Sequence, residues 1–183
     1  ADNYLNLSGR MAEFPIDPFL SFAGQEGSGL CSTGFDVTGT LGAPEFGGIV
    51  QVRRINFMKQ DVVEAHGHVA MKDNVLTVTN FIANMKQGQH ILNGTVNLQT
   101  NEPALDVSLK TIGVRAEPII ELVAPDVKLT GNVDNLVRVK GGVANPSVNG
   151  QICLTDGSAQ GVLLEKIQGK YDYHNGQVDL RDV

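Results

Sequence analysis

The chain has 183 residues, enough to bury a substantial core as one domain, yet only 5% are aromatic, none is Trp and 21 are Gly. With 42% hydrophobic residues, mostly Val, Leu and Ile, that balance points to strands joined by many turns. A net charge of −6 without any block of Lys or Arg excludes a nucleic-acid surface, and no apolar run approaches the ~20 residues of a membrane-spanning helix.

Along the chain, "PIDPFLSF" from Pro15 is the first of two short helix candidates, because proline fits a first helical turn. "GQEGSG" (24–29) has the glycines of a phosphate-cradling loop but lacks its Lys-Ser/Thr ending; Glu26 would repel phosphate, so it reads as a flexible loop. In "FDVTGTL", Phe35, Val37, Gly39 and Leu41 share one face and Asp36, Thr38 and Thr40 the other, since successive strand side chains point to opposite sides. "LGAPEFGG" then reads as a corner. Pro44 removes an amide donor and fixes φ, and Gly48 admits an unusual backbone angle before the next alternation. His66 and His68 in "AHGHV" share a strand face and, with His90, would make the one conceivable metal set; they read instead as solvent-facing, opposite Ala65, Gly67 and Val69, so no metal is expected. Asp73-Asn74 suits a tight hairpin turn.

The alternation continues in "HILNGTVNL", where Leu92, Gly94, Val96 and Leu98 oppose Ile91, Asn93, Thr95 and Asn97. "ALDVSLKT" sets Leu105, Val107 and Leu109 against Asp106, Ser108 and Lys110. "PIIELV" from Pro118 is the second helix candidate, and "DVKLTGNV" places Val127, Leu129, Gly131 and Val133 opposite Lys128, Thr130 and Asn132. Asp156-Gly157 and Asn175-Gly176 read as hairpin turns. Cys31 and Cys153 match no metal spacing, and whether they pair stays open. No nucleophile elbow, zinc-protease helix or carboxylate pair stands in a recognisable setting, so neither enzyme activity nor a cofactor is expected.

Two phrases say nearly the same thing. "VTGTLGAPEFGGIVQV" (37–52) and "VKGGVANPSVNGQICL" (139–154) align at a constant offset of 102, with Gly39, Leu41, Pro44, Gly48, Val50 and Val52 on Gly141, Val143, Pro146, Gly150, Ile152 and Leu154. Gly67 falls on Gly169 at the same spacing, and "AEFPIDPFL" resembles "RAEPIIELV" after one inserted residue. One β-repeat region covering 1–183 is therefore expected, with internal repeats at roughly 12–114 and 115–183, the second incomplete. Starting at Ala1 and stopping at "VDLRDV", it reads as a piece of a longer protein.

The pattern V-x-G-x-L-x-x-P-x-x-x-G-x-V-x-V, followed by a strand and a hairpin and preceded in its second copy by "LKTIGVRAEPIIELVAPDVKLTGNVD", resembles the repeats of AsmA/TamB-type bacterial envelope proteins. The likeness spreads over nearly the whole chain. It implies an all-β fold, an elongated curved sheet of repeats folded lengthwise into a taco-like trough with an apolar interior and only short helices. It further implies a segment of an inner-membrane-anchored protein in the periplasm of a diderm bacterium. There it would move phospholipid or another envelope lipid between inner and outer membranes in outer-membrane biogenesis. A chaperone-like scaffold assisting β-barrel or autotransporter assembly is the other role the resemblance implies. An outer-membrane β-barrel assembly partner would be met through parts of the family pattern outside these residues.

The residues reach the trough by their own route. A sheet with one apolar face must cover it, yet the sequence offers no long amphipathic helix and few aromatics, which leaves curling or a ligand. Acyl chains suit such a groove because each buried methylene is worth ~0.8 kcal/mol without directional partners. Alternation assigns the lining to Val37, Leu41, Val50, Val52, Val69, Met71, Leu92, Val96, Leu98, Leu105, Val107, Leu109, Val127, Leu129, Val133, Val137, Val139, Ile152 and Leu154. A structural β-solenoid with its apolar face fully internal is the competing architecture.

Overall fold

The structure, a computed structural model, describes residues 4–22, 26–57, 62–99, 102–123, 126–174 and 177–182. In chain order it contains β1 (Tyr4–Pro15), α1 (Asp17–Phe22), β2 (Gly27–Thr40), β3 (Ala43–Phe57), β4 (Val62–Lys72), β5 (Val75–Met85) and β6 (Gln89–Asn97). There follow β7 (Ala104–Arg115), α2 (Glu117–Val123), β8 (Leu129–Gly142), β9 (Ser147–Ala159), β10 (Val162–His174) and β11 (Gln177–Arg181). Each strand pairs antiparallel with its sequence neighbours, so eleven strands form one open, curled sheet whose order in space is the order in the chain. The fold is all-β. Connections alternate between two rims. Both helices lie on the rim holding the β1–β2 and β7–β8 connections, here the helix rim; the opposite one, with the β2–β3 and β8–β9 turns, is the hairpin rim.

Burial is concentrated at the helix rim. Cys31, Val52, Ala65, Val114, Ala116, Val133 and Leu154 are the buried apolar residues among those described, and no large side chain is fully enclosed. Ala116, Val133 and Leu154 form a cluster flanked by Leu129 and Leu164. Each helix is tied to this rim in the same way. The Ile16 amide donates to the Gly29 carbonyl (3.0 Å) and the Ile16 carbonyl accepts from Leu20 (3.1 Å); Ala116 repeats both bonds with Gly131 and Ile120 (2.9 Å each).

The backbone itself repeats. β2 and β8 have boundaries 102 positions apart at both ends. Gly39 and Gly141 adopt φ of 93° and 101°, a region that glycine enters without penalty. Leu5, Leu7, Gly9 and Met11 pair with Gly39, Val37, Phe35 and Thr33; Leu105, Val107, Leu109 and Thr111 pair with their counterparts Gly141, Val139, Val137 and Asn135. Bulges with φ between 47° and 59° interrupt the odd-numbered strands β1, β3, β5, β7 and β9, at Glu13, Arg54, Asn80, Gly113 and Asp156, and β4 carries a further irregularity between Val62 and Glu64. A bulge bends its strand and raises its twist. Odd strands run in one direction, so these bends act in the same sense and curl the sheet. Three bulge amides are satisfied from the next strand: Glu13 N–H by Ser32 Oγ (3.1 Å), Asn80 N–H by Asn93 Oδ1 (2.7 Å) and Gly113 N–H by Asp134 Oδ1 (2.8 Å).

Several local expectations change. The repeated phrase is a hairpin, with Pro44 the second residue of β3 and Pro146 immediately before β9, so the repeat widens the sheet edge to edge and does not stack units around a corner. Gly48 and Gly150 lack the left-handed φ expected of them; that angle sits at Gly39 and Gly141. Asp156-Gly157 is a bulge within β9, and the chain turns at Gln160-Gly161 instead. α1 begins at Asp17, after Pro15 has closed β1, and α2 begins at Glu117, so Pro18 and Pro118 each take the second helical position. Gly27, Ser28 and Gly29 open β2 where a loop was expected, while residues 24 and 25 and the Asn175-Gly176 turn lie outside the described residues.

Candidate functional site

Residues paired across neighbouring strands point to the same side of a sheet. Followed from Gly9, the pairing leads through Phe35, Gly48, Val69, Val78, Gly94, Val107, Val139 and Val148 to Tyr173, one row through ten strands, β1 to β10. Every member is apolar or glycine, save for the tyrosine hydroxyl. At the usual strand spacing the row spans roughly 43 Å along the curved sheet. A second row nearer the hairpin rim joins Leu7, Val37, Phe46, Met71, Leu76, Val96 and Leu105.

Of the expected lining, Val37, Val50, Val52, Val69, Met71, Leu92, Val96, Leu105, Val107, Leu109, Leu129, Val133, Val137, Val139, Ile152 and Leu154 share this face. Leu41, Leu98 and Val127 do not belong to the rows. They lie outside the strands at the rims, 66%, 45% and 44% exposed, because the pairing that fixes a facing direction ends before reaching them. Lys128, expected on the opposite face, also precedes β8. The face also includes Leu7, Phe46, Leu76, Val78, Phe81 and Val148, which alternation within single phrases missed. Phe81 was hidden by the Asn80 bulge, which reverses parity between Val78 and Phe81.

Three aromatic rings lie over glycines of adjacent strands. A Cβ on Gly9 would sit 2.6 Å from Phe35 Cζ, one on Gly67 2.9 Å from Phe81 Cδ2, and one on Gly150 2.5 Å from Tyr171 Cζ. The rings therefore pave the floor and shield backbone that glycine leaves bare. A thin aromatic set thus covers a wide surface without building a second layer.

A polar stripe interrupts the floor across β6, β7 and β8. His90, Thr111 and Asn135 are consecutive partners, with His90 Nδ1 and Thr111 Oγ1 2.9 Å apart and the Tyr171 hydroxyl donating to Asn135 Oδ1 (3.2 Å). Burial pushes the His90 pKa below its usual 6.5, favouring a neutral ring. His66 and His68 point to the other face, paired with Gln51 and Ile49, so the three histidines do not converge. Among the described residues no group of three metal-ligating side chains comes together. Both cysteines are free; Cys31 is buried on the apolar face, where burial raises its thiol pKa, and Cys153 lies on the opposite face.

That opposite face is polar but not flat, because a twisted sheet is a saddle with a hollow on each side. Hollows of about 900 and 750 Å³ on it share Leu136, Gln151, Lys170 and Asp182. Arg138 pairs with Asp106 at 2.9 Å and Lys170 with Asp182 at 2.7 Å, and hydrogen bonding to Arg138 holds the Asp106 carboxyl below its ordinary range. These pairs are solvent-exposed, so they keep the face wet more than they stabilise it. The split between faces is not complete, since Ile82, Ile91 and Leu136 fall on this side. Compared with family models, curated proteins and solved structures, the chain matches none of them.

Proposed function

We propose that the apolar face is a lipid-conducting floor, a segment of a periplasm-spanning protein of the AsmA/TamB type that carries phospholipid or another envelope lipid between inner and outer membranes. The row from Gly9 to Tyr173 carries this reading: it crosses the sheet without one charged or amide side chain. An acyl chain fills half of a hydrocarbon core about 30 Å thick. A floor of roughly 43 Å therefore accommodates chains end to end. Binding would rest on buried methylenes at ~0.8 kcal/mol each. Such contacts have no preferred position along a uniform row, so a bound chain slides, while its headgroup stays in water at the open side.

The alternative of a sealed solenoid is disfavoured by exposure on this same face: Leu7 is 58%, Ile152 40% and Ile167 41% exposed. The test is direct. Purified protein, titrated with a fluorescent fatty acid and examined by mass spectrometry for retained phospholipid, is expected to bind saturably and to carry lipid. Absence of both, in protein whose circular dichroism shows the sheet intact, would remove the groove reading.

A further inference from the structure

We infer, resting on the lipid reading of the floor, that the polar stripe of His90, Thr111 and Asn135 is a binding site for the ester-linked glycerol of a diacyl lipid. It is a stopping place on a face where chains otherwise slide. The donors of the stripe set its chemistry. Thr111 is 4% exposed, so its hydroxyl hydrogen has to be accepted inside the protein; His90 Nδ1, 2.9 Å away, takes it and leaves Nε2–H as the remaining donor of the ring. Asn135 Oδ1 accepts from the Tyr171 hydroxyl, and among the described residues the Asn135 amide nitrogen has no acceptor.

These donors are uncharged and stand on an apolar face. Leu92, Leu109 and Val137 form the row on one side of the stripe, and Val114 and Val133 belong to the row on the other. Neither set brings a Lys or Arg beside the stripe to meet a phosphate or an ionised carboxylate. Burial adds to this by favouring the neutral imidazole. Neutral donors two strands apart suit neutral acceptors, and the two ester carbonyls where acyl chains meet glycerol are such a pair. Beside the stripe, the floor of β5, β4 and β3 continues through Phe81, Val78, Val69 and Val50 without a charge. The three spacings from β6 to β3 cover roughly 14 Å, close to the ~15 Å that an acyl chain occupies in half of a hydrocarbon core.

Two probes differ only at the ester: a short-chain diacyl phosphatidylcholine that stays monomeric, and its dialkyl ether analogue, which keeps tails and headgroup but has no carbonyl. In calorimetric titration the protein should bind the diacyl lipid roughly tenfold more tightly, the worth of one or two hydrogen bonds. In Asn135→Leu and in His90→Leu that ratio should fall toward one, and His90→Gln, which restores a side-chain N–H donor, should recover it. The infrared band of an isotope-labelled ester carbonyl should move to lower frequency on binding and stay unshifted with a protein carrying both Leu substitutions, a change that a merely structural stripe would not produce. Equal binding of the two lipids by the unaltered protein, or an ester preference that both Leu variants keep, would overturn the inference and leave the lipid floor standing. Binding of neither lipid would remove both.

Discussion

At the helix rim, Val133 and Leu154 are buried against Ala116, flanked by Leu129 and Leu164; nearer the hairpin rim of the same face, Val107 and Val139 are only half-buried. The side chains are of the same aliphatic kinds, and their strands pair in the same continuous sheet. What differs is cover: the residue leading into each helix closes the rim, while among the described residues no second layer lies over the floor. Stability should therefore reside at the rim, where burial is complete enough for a lost methyl to leave a cavity. The floor contributes less to folding and is free to bind.

Substitutions should separate the two regions. The largest effect is expected from Val107→Arg, which sets an unpaired cation in the uninterrupted row: fatty-acid binding should fall at least tenfold, while the side chain reaches solvent at the open side and the melting temperature barely moves. Leu154→Ala is expected to do the reverse, costing about 2–4 kcal/mol in urea unfolding with lipid binding retained in the folded fraction. Gly150→Ala should displace the Tyr171 ring and cost about 1–3 kcal/mol, read by the same denaturation. Asp134→Ala removes the acceptor for the Gly113 bulge amide and should cost roughly 1 kcal/mol.

A smaller effect concerns pH. Because burial lowers the His90 pKa, the unfolded chain binds the extra proton first as pH falls, so this contribution to stability is full above 6.5 and is lost as pH drops through that value. His90→Leu should flatten that part of the urea-midpoint profile. An unchanged slope would mean that the ring is not shielded at the floor.

Much of this division was legible in the sequence, and what was hidden has one physical source. Strands such as β7 and β8 announce their faces because Leu105, Val107 and Leu109 or Val137 and Val139 alternate without interruption, and the Gly39 and Gly141 phrases announce the repeat. A bulge is different: it is defined by the partner strand, since Asn80 is extra only relative to Gly94 and Leu92. Local periodicity cannot see it, and for that reason Asp156-Gly157 read as a turn and Phe81 was left out. The rings over Gly67 and Gly150 are likewise contacts across strands, written in register and absent from spacing within any one segment.

The most direct test of the floor uses parity. A photo-crosslinking amino acid placed in the full-length protein in cells at Val107 and Val139, then at their neighbours Ser108 and Arg138, samples opposite faces of the same two strands one residue apart. Lipid adducts should be strong at the two valines and weak at Ser108 and Arg138. Equal labelling at both parities, or adducts confined to the polar face, would contradict a lipid-conducting floor.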